Sequence, residues 1–89
     1  MKIFFQSYLS SITGTNELDI EFSGTLEELL SLLIELYGFE FESLILIKGE
    51  LSYKAVVLVN NCFIDKKTGF DKVLYNSDVI MFLPVIAGG

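Results

Sequence analysis

One helix pattern in the first half of the chain constrains the fold most. Thr25 and Glu28 have the spacing of a capping box, in which the two side chains satisfy free amide groups of the first helical turn. Gly38 stands where a left-handed C-cap is expected. The apolar positions between them share one face of the helical wheel: Leu26, Leu29, Leu30, Leu33 and Tyr37. A helix with one apolar face indicates that it covers one side of a sheet.

The segments before this helix have the patterns of strands. Residues 2–9 are rich in aromatic and β-branched side chains, which favour a strand. Residues 10–16 contain Gly14 between two threonines and predict a turn. Residues 18–22 alternate apolar and acidic side chains, which is typical of a half-buried strand. The chain is therefore expected to open with a hairpin.

The segments after the helix return to strand patterns. The pattern at residues 39–42 does not distinguish helix from strand or loop. Residues 44–47 form a short apolar run, residues 48–50 predict a turn, and residues 51–54 lead back into the sheet. Residues 55–59 are continuously apolar, as expected for an interior strand.

The last third of the chain predicts two further strands. The pair Asn60-Asn61 suits a tight turn, because asparagine tolerates a positive φ, and residues 62–64 predict a short return strand. Residues 65–77 predict a mostly polar loop, anchored by some of Val73, Leu74 and Tyr75. Residues 79–83 predict the final strand, which Pro84 ends because it has no amide hydrogen to donate.

This order of elements defines a fold class. A hairpin, one main helix and further strands give an α+β layer pair, with the final strand returning to the centre of a mixed sheet. That arrangement is the ubiquitin-like β-grasp. We predict a β-grasp domain over residues 1–83 and a flexible C-terminal tail over residues 84–89.

Composition excludes several functions. The 89 residues carry a net charge of -6, with six lysines and no arginine, which argues against nucleic-acid binding. Histidine is absent, so Ser-His and Cys-His catalysis and histidine metal sites are excluded. A single cysteine, Cys62, excludes an internal disulfide and a multi-cysteine zinc site. We therefore expect neither a bound metal nor an enzyme that acts alone.

Hydropathy argues against a membrane protein. The longest apolar stretch, residues 79–87, is interrupted by Pro84 and is far shorter than the ~20 residues of a membrane-spanning helix. The N-terminal apolar run is too short for a signal peptide. A cytoplasmic protein without membrane contact is expected.

The tail ends in two glycines, Gly88 and Gly89. Glycine makes a chain end narrow and free in φ, so that it can enter a tunnel and approach a nucleotide closely. A carboxylate is a poor electrophile, and an acyl-adenylate formed with ATP would activate it for attack by a sulfur nucleophile. Glycine is also common at frayed ends. The preceding strand, Pro84 and apolar residues favour the functional interpretation.

The chain resembles the molybdopterin synthase small-subunit and sulfur-carrier family of the ubiquitin-like superfamily. The similar segments are Phe4-Phe5 through Ile12-Thr13-Gly14, residues 25–30, Gly49-Glu50-Leu51, residues 57–61, Ser77-Asp78-Val79 with Phe82, and Pro84 with Ala87-Gly88-Gly89. Their order and spacing cover nearly the whole chain.

The resemblance implies a carrier rather than a catalyst. Gly89 would be adenylated by a separate ubiquitin-activating-like enzyme that uses ATP, and would then carry sulfur as a thiocarboxylate. The sulfur would come from a persulfide-bearing protein. The tail could insert into the large subunit of molybdopterin synthase, with Gly88 beside the reacting residue. Partner contacts are expected at Phe82, Pro84, Val85, Ile86 and Ala87.

Other interpretations remain open. The same activated glycine could acylate lysines, which would make the chain a ubiquitin-like modifier, or the tail could be inert on a β-grasp interaction module.

Cys62 is interpreted as a small strand residue. The pair Glu27/Glu28 is interpreted as helix-start electrostatics and Glu40/Glu42 as a solvated strand or loop. The apolar surplus predicts either a docking patch beside the tail or a thick core: Leu32, Ile34, Leu36, Phe39, Phe41, Phe63 and Phe70.

Overall fold

The last strand of the chain lies in the middle of the main sheet. The computed structural model describes residues 1–85. In chain order its elements are β1 (Lys2–Phe5), α1 (Leu9–Thr13), β2 (Glu17–Asp19), β3 (Gly24–Thr25), α2 (Leu26–Tyr37), α3 (Phe39–Ile45), β4 (Leu46–Ile47), β5 (Glu50–Leu51), β6 (Ala55–Val59), β7 (Cys62–Phe63), a 3-10 turn (Gly69–Asp71), β8 (Val73–Leu74) and β9 (Val79–Pro84).

The main sheet has the strand order β2-β1-β9-β6-β7. Strand β9 runs parallel to β1 and antiparallel to β6, so the sheet is mixed, as predicted. Two small ladders, β3 with β8 and β4 with β5, lie outside it. The predicted interior strand and the turn after it are confirmed: Asn60 and Asn61 have φ angles of 51° and 67°.

Helix α2 begins and packs as its sequence predicts. The Glu28 amide donates to the Thr25 hydroxyl at 3.2 Å, and the Thr25 amide donates to Glu28 Oε1 at 2.9 Å, which completes the capping box. The four leucines of the apolar face are buried: Leu26, Leu29, Leu30 and Leu33. Gly38 has a φ of 84° but a ψ of −160°, so it is not a left-handed cap. The chain instead turns at once into α3, which packs against α2.

Aromatic rings join the helices to the sheet. Phe5 and Phe82 stack at 5.7 Å between ring centroids, and Phe41 of α3 meets both edge-on. All three side chains are fully buried. Each such pair adds about 0.5–1.5 kcal/mol beyond the burial of its surface. Central strand β9 is therefore fixed to the helical layer by its own Phe82.

The segment that follows β1 differs from the sequence prediction. Strand β1 ends at Phe5, and residues 9–13 form helix α1 instead of continuing a strand into a turn. Leu9 is fully buried there, and the Ser10 and Thr13 hydroxyls donate to the carbonyls of Ser7 and Leu9. Burial of one leucine and these local bonds stabilise a helix that has little intrinsic propensity.

The domain also extends slightly beyond its predicted boundary. Strand β9 includes Pro84, which lies opposite Ala55 on β6. The Val85 amide donates to the Lys54 carbonyl at 2.9 Å. Residues 84 and 85 thus belong to the folded domain, where the prediction placed the boundary after residue 83. No helix within residues 1–85 is long and apolar enough to cross a membrane.

Candidate functional site at the root of the tail

Strand β9 carries the chain to the tail and alternates between the two faces of the sheet. Ile80 and Phe82 point into the core and have no exposed surface. Met81 and Leu83 are partly buried and lie on the other face. Phe82 was predicted to contact a partner, and this prediction is corrected, because its side chain is enclosed by the core.

The last described residues are held by a chain of hydrogen bonds. The Lys54 carbonyl accepts the Val85 amide at 2.9 Å, and the Lys54 amide donates to the Ser52 hydroxyl at 2.8 Å. Ser52 is only 2% exposed, and its own amide donates to the Ile45 carbonyl at 2.8 Å. These bonds connect the end of α3 to the root of the tail. The position from which the tail departs is therefore fixed by the fold.

The predicted tail contacts fall into two groups. Pro84 is half-buried and Val85 is 47% exposed, so both are partly accessible. Ile86, Ala87, Gly88 and Gly89 lie outside the described residues, and their predicted roles stay predictions. Four residues span at most about 14 Å. The end of the sequence therefore lies within roughly that distance of Val85.

Part of the face of the main sheet opposite α2 is apolar, whereas its β2 edge is charged, because Glu17 lies opposite Phe4. One row crosses four strands, because Phe4 lies opposite Met81, Met81 opposite Leu58, and Leu58 opposite Phe63. A second row, Val56 opposite Leu83, lies nearer the tail root. Leu58 is buried but does not belong to the core cluster, as expected for a residue covered by neighbours on the outer side. We call these six residues the open face.

The open face contains a large exposed ring. Phe63 is 76% exposed and lies on edge strand β7. Contiguous apolar surface of this kind marks interaction sites. Leu83 belongs to this face and is two residues from Val85, so the face continues to the tail root. The tail root and the open face thus form one continuous part of the surface.

Sequence analysis located only part of this surface. Phe63 belonged to the predicted apolar surplus, whereas Phe41 of that surplus is buried in the core. Phe4, Met81 and Leu58 were missed. The available signal was that both alternating sets of positions are apolar in β6 and β9, and that Phe4 lies between the apolar residues Ile3 and Phe5 in β1. Strands of that kind present apolar side chains on both faces of the sheet.

Side-chain hydrogen bonds of Asn60 and Asp78 fix the start of β9 at the other end of the sheet. Asn60 Oδ1 accepts the Val79 amide at 2.9 Å, and Asn60 Nδ2 donates to Asp78 Oδ1 at 3.0 Å. Asp78 Oδ2 accepts the Tyr75 amide at 2.8 Å. Hydrogen bonds from the Tyr75 amide and the Asn60 side chain lower the pKa of Asp78. These hydrogen bonds hold the Asn60-Asn61 turn against the strand that leads to the tail.

The other candidate side chains lie apart from the tail root. Cys62 is exposed on edge strand β7. Glu27 and Glu28 occupy the first turn of α2, as predicted, and Glu40 and Glu42 occupy the first turn of α3, not a strand or loop. Within residues 1–85, no group of three or more metal-ligating side chains is assembled.

The fold, with a helix across a mixed sheet and its last strand in the centre, is the ubiquitin-like β-grasp. The profile of the ThiS family matches residues 3–89. The chain therefore belongs to the ThiS family, within the ubiquitin-like β-grasp sulfur carriers and modifiers. This confirms the resemblance found in the sequence.

Solved structures agree with this placement. Small archaeal modifier protein 1 (SAMP1) from Methanosarcina acetivorans is 28% identical, with a TM-score of 0.77 over 99% of this chain and 94% of that one. A chain of the Amycolatopsis orientalis BexX/CysO complex reaches a TM-score of 0.83 at 18% identity, over 99% and 98%. Urm1 from Trypanosoma brucei has a TM-score of 0.78 at 24% identity, over 99% and 93%. A comparison with curated proteins found no match.

Proposed function

We propose that this protein is a sulfur carrier whose working group is the carboxylate of Gly89. A separate ubiquitin-activating-like enzyme adenylates it, so that the carboxylate attacks the α-phosphorus of ATP and pyrophosphate leaves. The observation that supports this most is the fixed tail root: β9 is central, and Val85 is bonded to Lys54 beside an apolar face. Membership of the ThiS family supports the chemistry.

Sulfur transfer follows from the acyl-adenylate. The terminal sulfur of a persulfide-bearing protein attacks the acyl carbon, and AMP leaves. A thiol then cleaves the sulfur–sulfur bond, which releases the thiocarboxylate and leaves a disulfide on the donor side. The carrier's own side chains supply no catalytic group in this scheme, and the protein acts as a co-substrate.

The open face is the proposed docking surface for the activating enzyme. Its exposed aromatic ring and its continuity with the tail root suit a partner that must hold the domain while the tail reaches a nucleotide. The net charge of -6 favours partners with basic surfaces. Orientation of this kind matters because a misplacement of about 1 Å can cost on the order of a hundredfold in rate.

Molybdopterin is the proposed destination of the sulfur. The sequence resemblance supports this choice, and so does the fold of a Pyrococcus furiosus protein described as subunit 1 of a molybdopterin converting factor, at a TM-score of 0.73. The thiocarboxylate would enter the large subunit of molybdopterin synthase and supply the dithiolene sulfurs.

Protein modification is the second candidate function. The observation that favours it is the 28% identity to a protein named as a small archaeal modifier. In that case a lysine amine attacks the acyl carbon of the Gly89 adenylate, AMP leaves, and an amide bond forms instead of a thiocarboxylate.

One measurement separates these functions. The intact mass of the protein purified from its native cells should show the exchange of one oxygen for one sulfur, and this exchange should disappear in a Gly89 deletion. Conjugates on lysines of other proteins, without the exchange, would support the modifier. If neither product forms and the deletion behaves like the wild type in ATP-pyrophosphate exchange, the tail is inert.

A further inference from the structure

A groove lies on the helical side of the molecule, away from the open face. It is formed by α2, the β4–β5 hairpin and the 3-10 turn, and has a volume of about 410 Å³. Its apolar lining residues are Leu30, Ile34, Leu46 and Phe70. Leu30 is buried, and the other three are only partly buried: Ile34, Leu46 and Phe70. We call this the helix groove.

The rim of the helix groove is acidic. Glu27 and Glu28 line it, and both are exposed. The capping box directs two hydrogen bonds to Glu28 Oε1, from the Thr25 amide at 2.9 Å and from the Thr25 hydroxyl at 3.2 Å. The carboxylate of Glu28 is therefore held in one orientation. Within residues 1–85, its other oxygen accepts no hydrogen bond from the protein.

Within residues 1–85, no lysine forms an ion pair with Glu27 or Glu28 of this rim. The start of a helix supplies about half a positive charge, against two full negative charges on the glutamates. The ion pairs found within residues 1–85 join the Met1 amino group to Asp19 and Lys2 to Glu17, at the far edge of the sheet. Lys48, next to groove residue Gly49, makes no ion pair with the rim in this part of the chain.

We propose that the helix groove binds a basic segment of a partner protein. One apolar side chain of the segment packs on Ile34, Leu46 and Phe70, and a lysine or arginine meets Glu27 and Glu28. A small molecule fits less well, because ligand sites bury about 70–90% of their ligand and this groove is open to solvent. An extended peptide segment can contact the whole length of an open groove. Its positive charges are attracted to the acidic rim.

Binding at the helix groove leaves the open face accessible to the activating enzyme. The open face lies on the other side of the main sheet from α2, so a partner in the helix groove does not cover it. The domain can thus be held by one protein on its helical side while another activates or uses its tail. The inference goes beyond the proposed function and does not depend on which reaction Gly89 undergoes.

The test is an amide NMR titration of the full chain with the peptide acetyl-KLLKK-amide. We expect saturable shifts at Ser31, Ile34, Leu46 and Gly49, and weaker binding in higher salt. Glu27→Gln should raise the Kd about two- to fivefold, as expected for the loss of one exposed ion pair. Ile34→Ala should weaken binding further. Glu35→Gln, an exposed glutamate of the same helix that does not line the groove, is the matched control.

Several results would overturn the proposal. These are an absence of saturable shifts at millimolar peptide, shifts centred on Leu58 and Val56 of the open face, and equal binding of acetyl-ELLEE-amide. An unchanged Kd for Glu27→Gln would also overturn it. Each of these outcomes leaves the sulfur-carrier function intact, because none involves Gly89.

Discussion

The Val85 amide donates a hydrogen bond to the Lys54 carbonyl at 2.9 Å, and this bond is the last described contact between the domain and its tail. It continues the pairing of β9 with β6, where Pro84 lies opposite Ala55. Since Pro84 has no amide hydrogen, it cannot donate a hydrogen bond to β6. Val85 supplies the hydrogen bond immediately after it, and the tail is therefore anchored one residue beyond the proline.

Replacing Val85 by proline should remove this anchor and leave the fold intact. The residue before a proline is restricted to extended conformations, and Pro84 is already in a strand. The lost hydrogen bond is worth about 0.5–1.5 kcal/mol. Adenylation kinetics with the activating enzyme should show a higher KM than for the control Val85→Ala, which keeps the amide. Equal KM values for the two variants would show that the anchor does not position the tail.

Replacing Phe63 by serine should weaken docking without destabilising the domain. Its ring is 76% exposed on the open face, so little buried contact is lost in the free protein. Phe39→Ser is the matched control, because Phe39 is 78% exposed but begins α3 on the helical side. We expect a rise in KM for adenylation of several-fold for Phe63→Ser and none for Phe39→Ser. A similar effect of both variants would argue against the open face as the docking surface.

Local signals in the sequence predicted the parts of the fold that depend on few residues. The capping box of Thr25 and Glu28 fixed the start of α2, and Asn60-Asn61 fixed a turn that needs positive φ. The continuous apolar run of β6 identified an interior strand. In each case the residues that carry the signal also make the stabilising contact.

Helix α3 and the open face, which were not predicted, depend on distant contacts. In α3 the alternation Phe-Glu-Phe-Glu suggests a period of two, but Phe41 and Ile45 are the buried pair, with helical spacing. Phe39 is left exposed, and only the packing of Phe41 against Phe5 and Phe82 decides between the two patterns.

The open face was missed for a similar reason. Whether Met81 or Phe82 faces the core depends on the register of β9, which sequence alone does not determine.

Replacing Thr25 by alanine should destabilise the domain by about 1 kcal/mol, within the 0.5–2 kcal/mol range for lost N-caps. The hydroxyl that accepts the Glu28 amide is then missing, and Glu28 keeps only one of its bonds to residue 25. Urea unfolding at neutral pH measures the difference. Thr25→Ser, which retains the hydroxyl, should stay within a few tenths of a kcal/mol of the wild type. A loss as large for serine as for alanine would mean that the methyl group, not the cap, carries the effect.

Asp78 should make stability depend on pH in the acidic range. Its pKa is lowered in the folded state by the Tyr75 amide first and the Asn60 side chain second, relative to an ordinary value of 3.8. A lowered folded pKa means that the stabilisation is present above the unfolded value and is lost as the pH falls through the folded one. The difference in unfolding free energy between wild type and Asp78→Asn should therefore be largest near neutral pH and shrink below pH 3.8. A constant difference would exclude this carboxylate as the source.

Two tail variants should separate the reacting end from the part that binds. Gly88→Ala adds a methyl group and restricts φ next to the reacting residue, so we expect kcat for adenylation to fall on the order of a hundredfold. Ile86→Ala removes an apolar side chain worth ~2 kcal/mol when it is fully buried in a partner pocket, so KM should rise and kcat should change little. Steady-state kinetics with this protein as the varied substrate measures both. Unfolding curves of the two variants should overlay that of the wild type, which excludes a folding defect as the cause. Wild-type kinetics for both variants would show that the tail is not the working end, and the protein would then be a β-grasp interaction module.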